Sequence, residues 1–228
     1  MGTNHIIELT GDGSHTIVIP ELNVTYHSKH GAMQESMHVF IKEGLHYLLD
    51  RNLFNKDEVL NIFEVGFGTG LNAWLSLNEA VNHNQKIFYQ TIEPYPLSID
   101  EAEKLNYPLT LNKDLHEYFF QLHACEWNKE ILIHSLFSFE KINASLQNFT
   151  TNKKFHLIYF DAFDPTAQPE LWTENIFRKM FDILNFNGIL VTYCSKGIVR
   201  RAMQAAGFNV EKLPGPKGKR EIVRAEAL

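Results

Sequence analysis

Asn61-Ile-Phe-Glu-Val-Gly-Phe-Gly-Thr-Gly-Leu-Asn72 decides the reading of this chain. An apolar strand runs to Val65, three alternating glycines follow, and residues 71–81 have helical spacing. Glycines at a strand-to-helix turn let a ligand approach bare backbone, and the helix start offers unpaired N–H groups. The next apolar stretch, Ile87–Ile92, ends at Glu93, where an acidic residue can hold the two hydroxyls of a ribose. Together these features imply a nucleoside-bearing cofactor.

The glycine spacing narrows the choice. Dinucleotide sites read G-x-G-x-x-G, with the pyrophosphate on the helix start. Here the order is Glu64-x-Gly66-x-Gly68-x-Gly70. A carboxylate at the strand end repels a pyrophosphate but suits the ammonium of S-adenosylmethionine, which also carries a sulfonium and a ribose. No Gly-Lys-Ser/Thr follows, which argues against a phosphate loop. The competing reading is a turn that only packs a helix on a sheet, and the position of Glu93 weighs against it.

Strands alternate with helices along the rest of the chain, which implies a mostly parallel sheet covered on both faces. Expected strands are 60–65, 87–92, 131–134, 156–161, 188–193, 208–213 and 221–225. Expected helices are 71–81, 97–105, 137–148, 169–184 and 197–206. The last two strands are joined by Pro214-Gly-Pro-Lys-Gly218, too short for a crossover helix, so they should pair antiparallel. Residues 5–10 and 15–19 read as a hairpin around Gly11-Asp12-Gly13-Ser14, and 32–49 as a helix. The expectation is an α/β, class I (Rossmann-like) methyltransferase sheet of seven strands. Residues 1–50 form a hairpin-and-helix extension on a main domain of 51–228.

The 228 residues suit one such domain, and 44% hydrophobic residues is ordinary for a globular chain. No segment approaches the roughly 18 consecutive apolar residues of a membrane span, and the first nine residues do not read as a signal peptide. Cys125 and Cys194 lie far apart and suggest neither a disulfide framework nor a metal site, which fits a cytoplasmic location. The eleven histidines contain no H-E-x-x-H pair, so no metal is expected. The net charge of −6 argues against a protein that coats nucleic acid indiscriminately. However, residues 194–228 hold eight basic and three acidic residues, an asymmetry compatible with a local phosphate-binding face or with ordinary solvated lysines.

In a sheet of this kind the ligand lies beyond the carboxyl ends of the strands. The 66–70 turn, Glu93-Pro-Tyr95 and Tyr159-Phe-Asp-Ala-Phe-Asp-Pro165 converge there. Asp161 is placed to face both cofactor and acceptor. It is a candidate to orient an amine and accept its proton, since an alkylammonium cannot attack. Its competing role is to cap or order the loop, the role expected of Asp164. Phe163 and Trp172 are candidates to stack on a planar base, or core residues at a loop–sheet seam.

At these residues the chain resembles the tRNA 5-methylaminomethyl-2-thiouridine methyltransferases, which occur alone or fused to a flavin oxidase. The resemblance covers nearly the whole chain. It runs through residues 26–40, 64–72, Phe160-Asp-Ala-Phe-Asp-Pro165 and Pro169-Glu-Leu-Trp172. It continues in Asn187-Gly188, Ser195-Lys-Gly-Ile-Val-Arg-Arg201, Ala206-Gly-Phe208 and Gly218-Lys-Arg-Glu221. It implies methylation of the aminomethyl nitrogen of a wobble uridine, with S-adenosylmethionine as donor and Asp161 as the active-site aspartate. Relatives often carry Gly-Asp after the third strand, where the acid can meet the adenine amine; Ser135-Leu136 is read at that place here. Lys196, Arg200, Arg201, Lys219 and Arg220 are the expected tRNA phosphate contacts. With no flavin domain before the end at Leu228, a separate enzyme is expected to supply the aminomethyl intermediate. The alternatives are an N-methyltransferase or aminopropyltransferase acting on a small amine, and a non-catalytic tRNA-binding or cofactor-sensing module.

Overall fold

The computed structural model describes residues 4–51, 58–111 and 113–228. The expected 50/51 junction abuts residues 52–57, which lie outside the described residues. Eight strands form the main sheet in the order β10-β11-β9-β8-β4-β5-β7-β6. They are β4 (Leu60–Val65), β5 (Ile87–Ile92), β6 (Glu130–His134), β7 (Phe137–Ile142), β8 (Phe155–Phe160), β9 (Leu184–Thr192), β10 (Asn209–Pro214) and β11 (Glu221–Glu226). The run β7-β5-β4-β8-β9 is parallel, β6 pairs antiparallel with β7, and β11 pairs antiparallel with both β9 and β10. A smaller antiparallel sheet joins β1 (Ile6–Leu9), β2 (His15–Ile19) and β3 (Val24–Thr25).

The eighth strand corrects the sequence reading, which made 137–148 a helix. Phe-Ser-Phe-Glu-Lys-Ile does alternate, with Phe137, Phe139 and Lys141 fully buried. A lysine at the third inward position hides the period of two. Lys141 is tolerated there because its Nζ donates to the His123 carbonyl at 2.5 Å and lies 4.5 Å from the centre of the Trp127 ring. Burial pulls the Lys141 ammonium below its ordinary range. The β6–β7 hairpin turns at Ser135-Leu136, at the opposite end of β7 from the site. The strand end beside Glu93 therefore carries Asn143, not the Ser135-Leu136 pair read there from sequence. Sequence reading also missed the helix His116–Ala124.

Two apolar layers cover the sheet. On one face pack the helical segment 32–50, the helix Leu71–His83 and the helix His116–Ala124, with Trp74 fully buried. On the other pack the helices Glu174–Ile183 and Gly197–Ala205, around Phe160 and Phe177. Turns of π type wind Met37–His46, and Gly44 lies flat on the sheet: a Cβ there would meet Val191 at 3.0 Å. No helix among the described residues is long and apolar enough to cross a membrane.

Phe177 is wholly buried, so Phe177→Ala should cost about 3–5 kcal/mol in urea unfolding. Phe186 is 79% exposed, and Phe186→Ser should change stability by no more than about 0.5 kcal/mol.

Candidate active site

Parallel strands deliver their carboxyl ends to one edge, where β4 runs into the glycine turn, β5 into Glu93, β7 into Asn143 and β8 into Asp161. All three glycines of the turn have positive φ, of 91°, 47° and 73°. Gly66 also needs its bare Cα, since a Cβ would lie 2.9 Å from the Asp161 carbonyl oxygen; at Gly68 it would meet the Tyr26 ring at 2.9 Å. The Gly68 N–H donates to Glu93 Oε2 at 3.1 Å, and the Tyr95 N–H donates to Oε1 at 2.9 Å. Burial raises the Glu93 carboxyl and these two N–H groups oppose it. Each oxygen keeps acceptor capacity for a ribose hydroxyl. Asn143 Nδ2 donates to the Glu93 carbonyl at 3.1 Å and so sits at the same ledge.

Glu64 is fully enclosed between Thr91 and Tyr159 on the neighbouring strands. Burial, and then the charge of Asp161, holds its carboxyl well above the ordinary range. Its contact is Asn72, whose Nδ2 donates to Glu64 Oε1 at 3.1 Å and to Asp161 Oδ2 at 2.8 Å. Any hold of Glu64 on a cationic cofactor group would therefore pass through Asn72. Burial and then the neighbouring Glu35 push Asp161 up to about 7, against the opposing pull of Asn72 and Lys219.

Asp161 opens on a cavity of about 320 Å³ lined also by Tyr26, Glu35, Phe163, Tyr193 and Lys219. Lys219 Nζ reaches Glu35 Oε1 at 2.6 Å and lies 4.2 Å from the centre of the Tyr193 ring. Glu35 Oε2 accepts the Ser28 N–H at 2.9 Å. The Phe163 ring stands edge-on to Tyr26 at 5.1 Å. Trp172 is 4% exposed and packs in the core against Phe160, so it does not line the cavity. Its indole N–H donates to the Phe163 carbonyl at 2.8 Å, which makes it a support for Phe163 rather than a base-stacking surface. A second cavity, of about 410 Å³ beside Phe149 and Lys179, holds none of the candidate residues.

The basic tail is partly neutralised. Lys196 pairs with Asp164 at 2.6 Å, and Arg224 with Glu43 and Glu211 at 3.4 and 2.9 Å. The Arg200 Nε–H donates to the Ser195 carbonyl at 3.2 Å, and the guanidinium groups of Arg200 and Arg201 converge near Gly197. Arg200 and Arg220 both act on Glu221. Arg201 and Arg220 are exposed and form no ion pair among the described residues. Lys219 thus lines the cavity, and Lys196 pairs with Asp164, another of its lining residues.

Sequence reasoning gave no role to Tyr26, His27, Glu35, Asn72 or His123. His27 Nε2 lies 2.7 Å from Thr69 Oγ1, and His123 Nε2 donates to the Thr69 carbonyl at 3.2 Å. Burial drives both imidazoles down to about 4, so two neutral histidines brace the glycine turn.

Residues 111–227 match a family model described as S-adenosyl-L-methionine-dependent methyltransferase. The chain belongs to this family. Its fold is the class I, Rossmann-like one, with eight strands where seven were expected. Among its relatives are bifunctional tRNA 5-methylaminomethyl-2-thiouridine biosynthesis proteins named MnmC. That of Nitrosospira multiformis is 29% identical over 88% of this chain and 34% of its own length. That of Actinobacillus pleuropneumoniae is 28% identical over 99% of this chain and 36% of its own length. The chain thus spans about a third of the length of the curated relatives it matches. The fold is also that of MNMC2 from Aquifex aeolicus, with a TM-score of 0.81, 24% identity, and coverage of 100% of this chain and 71% of that one. Spermidine synthase from Thermotoga maritima shares the fold more distantly, with a TM-score of 0.54, 16% identity and coverage of 100% and 72%.

Glu93→Ala should weaken S-adenosylhomocysteine binding in calorimetry by about 1.5–3 kcal/mol per charged hydrogen bond lost. Gly68→Val should do so too, by forcing a side chain onto Tyr26. NAD should give no binding heat.

A second prediction concerns pH. Folding raises the Asp161 carboxyl from 3.8 to about 7, so the folded state holds this proton more tightly. The resulting stabilisation is complete in acid and is lost as pH rises through about 7. Asp161→Asn does not titrate. Its melting temperature relative to the parent should therefore climb between about pH 4 and pH 8, and an equal offset at both ends would contradict this placement of the charge.

Proposed function

We propose that the chain transfers a methyl group from S-adenosylmethionine to the aminomethyl nitrogen of 5-aminomethyl-2-thiouridine at the tRNA wobble position. The observation that carries the reading is Asp161, raised to about 7 at a cavity whose lining includes Tyr26, Phe163, Tyr193 and the Glu35–Lys219 ion pair. A base tuned near the working pH serves an amine that must lose a proton before it attacks. The names of the MnmC relatives supply the substrate class.

The donor group fits the residues present. The backbone of the 66–70 turn and the spare lone pairs of Glu93 would hold it, and Asn143 stands where the adenine ring is expected. Bound S-adenosylmethionine supplies an electrophilic methyl group. Asn72 fixes Asp161 Oδ2, while the other carboxylate oxygen makes no hydrogen bond among the described residues and is left to orient the amine and take its proton. Phe163 and Tyr26 offer ring faces to a base splayed out of a single-stranded loop. Lys219 and Lys196 lie where the adjoining phosphates would run, followed by Arg200, Arg201 and Arg220.

The carboxylates of the cavity suit a free polyamine as well, so the test includes one. Single-turnover methylation of aminomethyl-containing tRNA should rise with pH through about 7. It should fall about 10²–10⁴-fold in Asp161→Asn, with cofactor affinity nearly kept. Putrescine should not compete; a rate within a few-fold of the parent, or transfer to putrescine instead, would contradict the reading. Neutralising Arg201 and Arg220 together should weaken tRNA binding and flatten its log–log salt dependence by about 0.7–0.9 per lost contact. An unchanged slope would remove the basic face from the tRNA site.

A further inference from the structure

We propose that His46, Glu79 and His83 form a binding site for one divalent transition-metal ion, zinc by ligand chemistry, which staples the N-terminal helix to the helix that starts at the glycine turn. The chain's histidines carry no metal motif in sequence, yet the fold gathers these three. Glu79 and His83 stand one turn apart near the end of Leu71–His83, so they project from the same face. His46 comes from the other helix, at the end of its widened turns. One ligand atom from each lies within 4.8 Å of the others.

The geometry is that of a tripod. His46 and His83 both present Nε2 to the same oxygen, Glu79 Oε2; His83 lies 3.2 Å from it and His46 is in direct contact. The ring centres of the two histidines are 5.3 Å apart. Metal–ligand bonds of about 2.0–2.2 Å put tetrahedral ligand atoms roughly 3.3 Å apart, so an ion needs only a small opening of the His46–Glu79 contact. Two imidazoles and a carboxylate, with a fourth position left for water, are a common zinc donor set. The carboxylate is also supported from outside: Asn82 Nδ2 donates to Glu79 Oε1 at 3.2 Å. Glu79 is 12% exposed and His83 47%, so the site is anchored on one side and reachable from solvent on the other. A proton can link one histidine to Glu79; an ion links all three at once. None of the three lines the cavity at Asp161, so the inference does not depend on the proposed reaction.

The untagged chain, stripped with a chelator and dialysed, is titrated with Zn²⁺ by calorimetry and with Co²⁺ by visible absorption. One ion per chain should bind. Co²⁺ should give the intense bands of a low-coordinate site, and the melting temperature should rise with Zn²⁺ concentration. Mg²⁺, which prefers oxygen ligands, should do nothing. Glu79→Gln keeps the shape but replaces one acceptor oxygen with a donor amide, and His83→Ala removes a half-exposed side chain. Each should weaken Zn²⁺ binding by at least about 10–100-fold, the range for losing even an outer-shell partner, with the metal-free melting temperature of at least one variant close to the parent's. No saturable binding to the parent, or binding that both variants leave unchanged because other histidines provide it, would overturn the site.

Discussion

Asn72 donates its amide to Glu64 and to Asp161, at 3.1 and 2.8 Å, and so ties the end of β4, the start of the next helix and the end of β8 into one unit. The placement of Asp161 rests on this bridge. Glu64 lies fully buried in the middle of the sheet, and burial raises its carboxyl well above the ordinary range. Asp161 faces the cavity and, at about 7, lies between charged and uncharged at ordinary pH. One amide thus holds two carboxyl groups, one sealed in the sheet and one open to the cavity, an arrangement suited to a proton acceptor beside a cationic donor. Gly66 makes the arrangement possible, because only a bare Cα lets the turn pass the Asp161 carbonyl.

The N-terminal segment completes the site. Tyr26 lies against Gly68 and Phe163, His27 braces Thr69, and Glu35 receives Lys219 from the far end of the chain. The Glu35–Lys219 pair opposes itself at Asp161, since Glu35 raises its proton affinity and Lys219 lowers it. The N-terminal segment and the β10–β11 turn therefore modulate the acidity of a group at the end of β8 that burial raises first.

Much of the frame was legible in the sequence because its signals are local. The strand Ile87–Ile92 is uniformly buried and Leu60–Val65 is buried at all but Asn61, glycines mark the turn, and the closing hairpin follows from a loop too short to cross over. What failed to show were features that exist only through tertiary partners. Lys141 breaks an apolar alternation that the carbonyl of His123 and the Trp127 ring make tolerable. Trp172 looks like a stacking surface until the core closes over it. Asn72 follows the glycines like any helix-start residue, and only the folded sheet brings Asp161, 89 positions away, to its amide. The net charge of the tail was visible, but not its partial neutralisation by Glu35, Glu43 and Asp164 from outside it.

The central claim is that this strand edge delivers a methyl group to an amine on a tRNA wobble base. It is tested most directly by nucleoside mass spectrometry of tRNA from a strain lacking this protein, before and after incubation with the purified chain and methyl-labelled S-adenosylmethionine. The account predicts that 5-aminomethyl-2-thiouridine accumulates in the untreated tRNA and is converted to its labelled methylaminomethyl form. Unchanged nucleosides in the deletion strain, or label arriving on any other nucleoside, would contradict it.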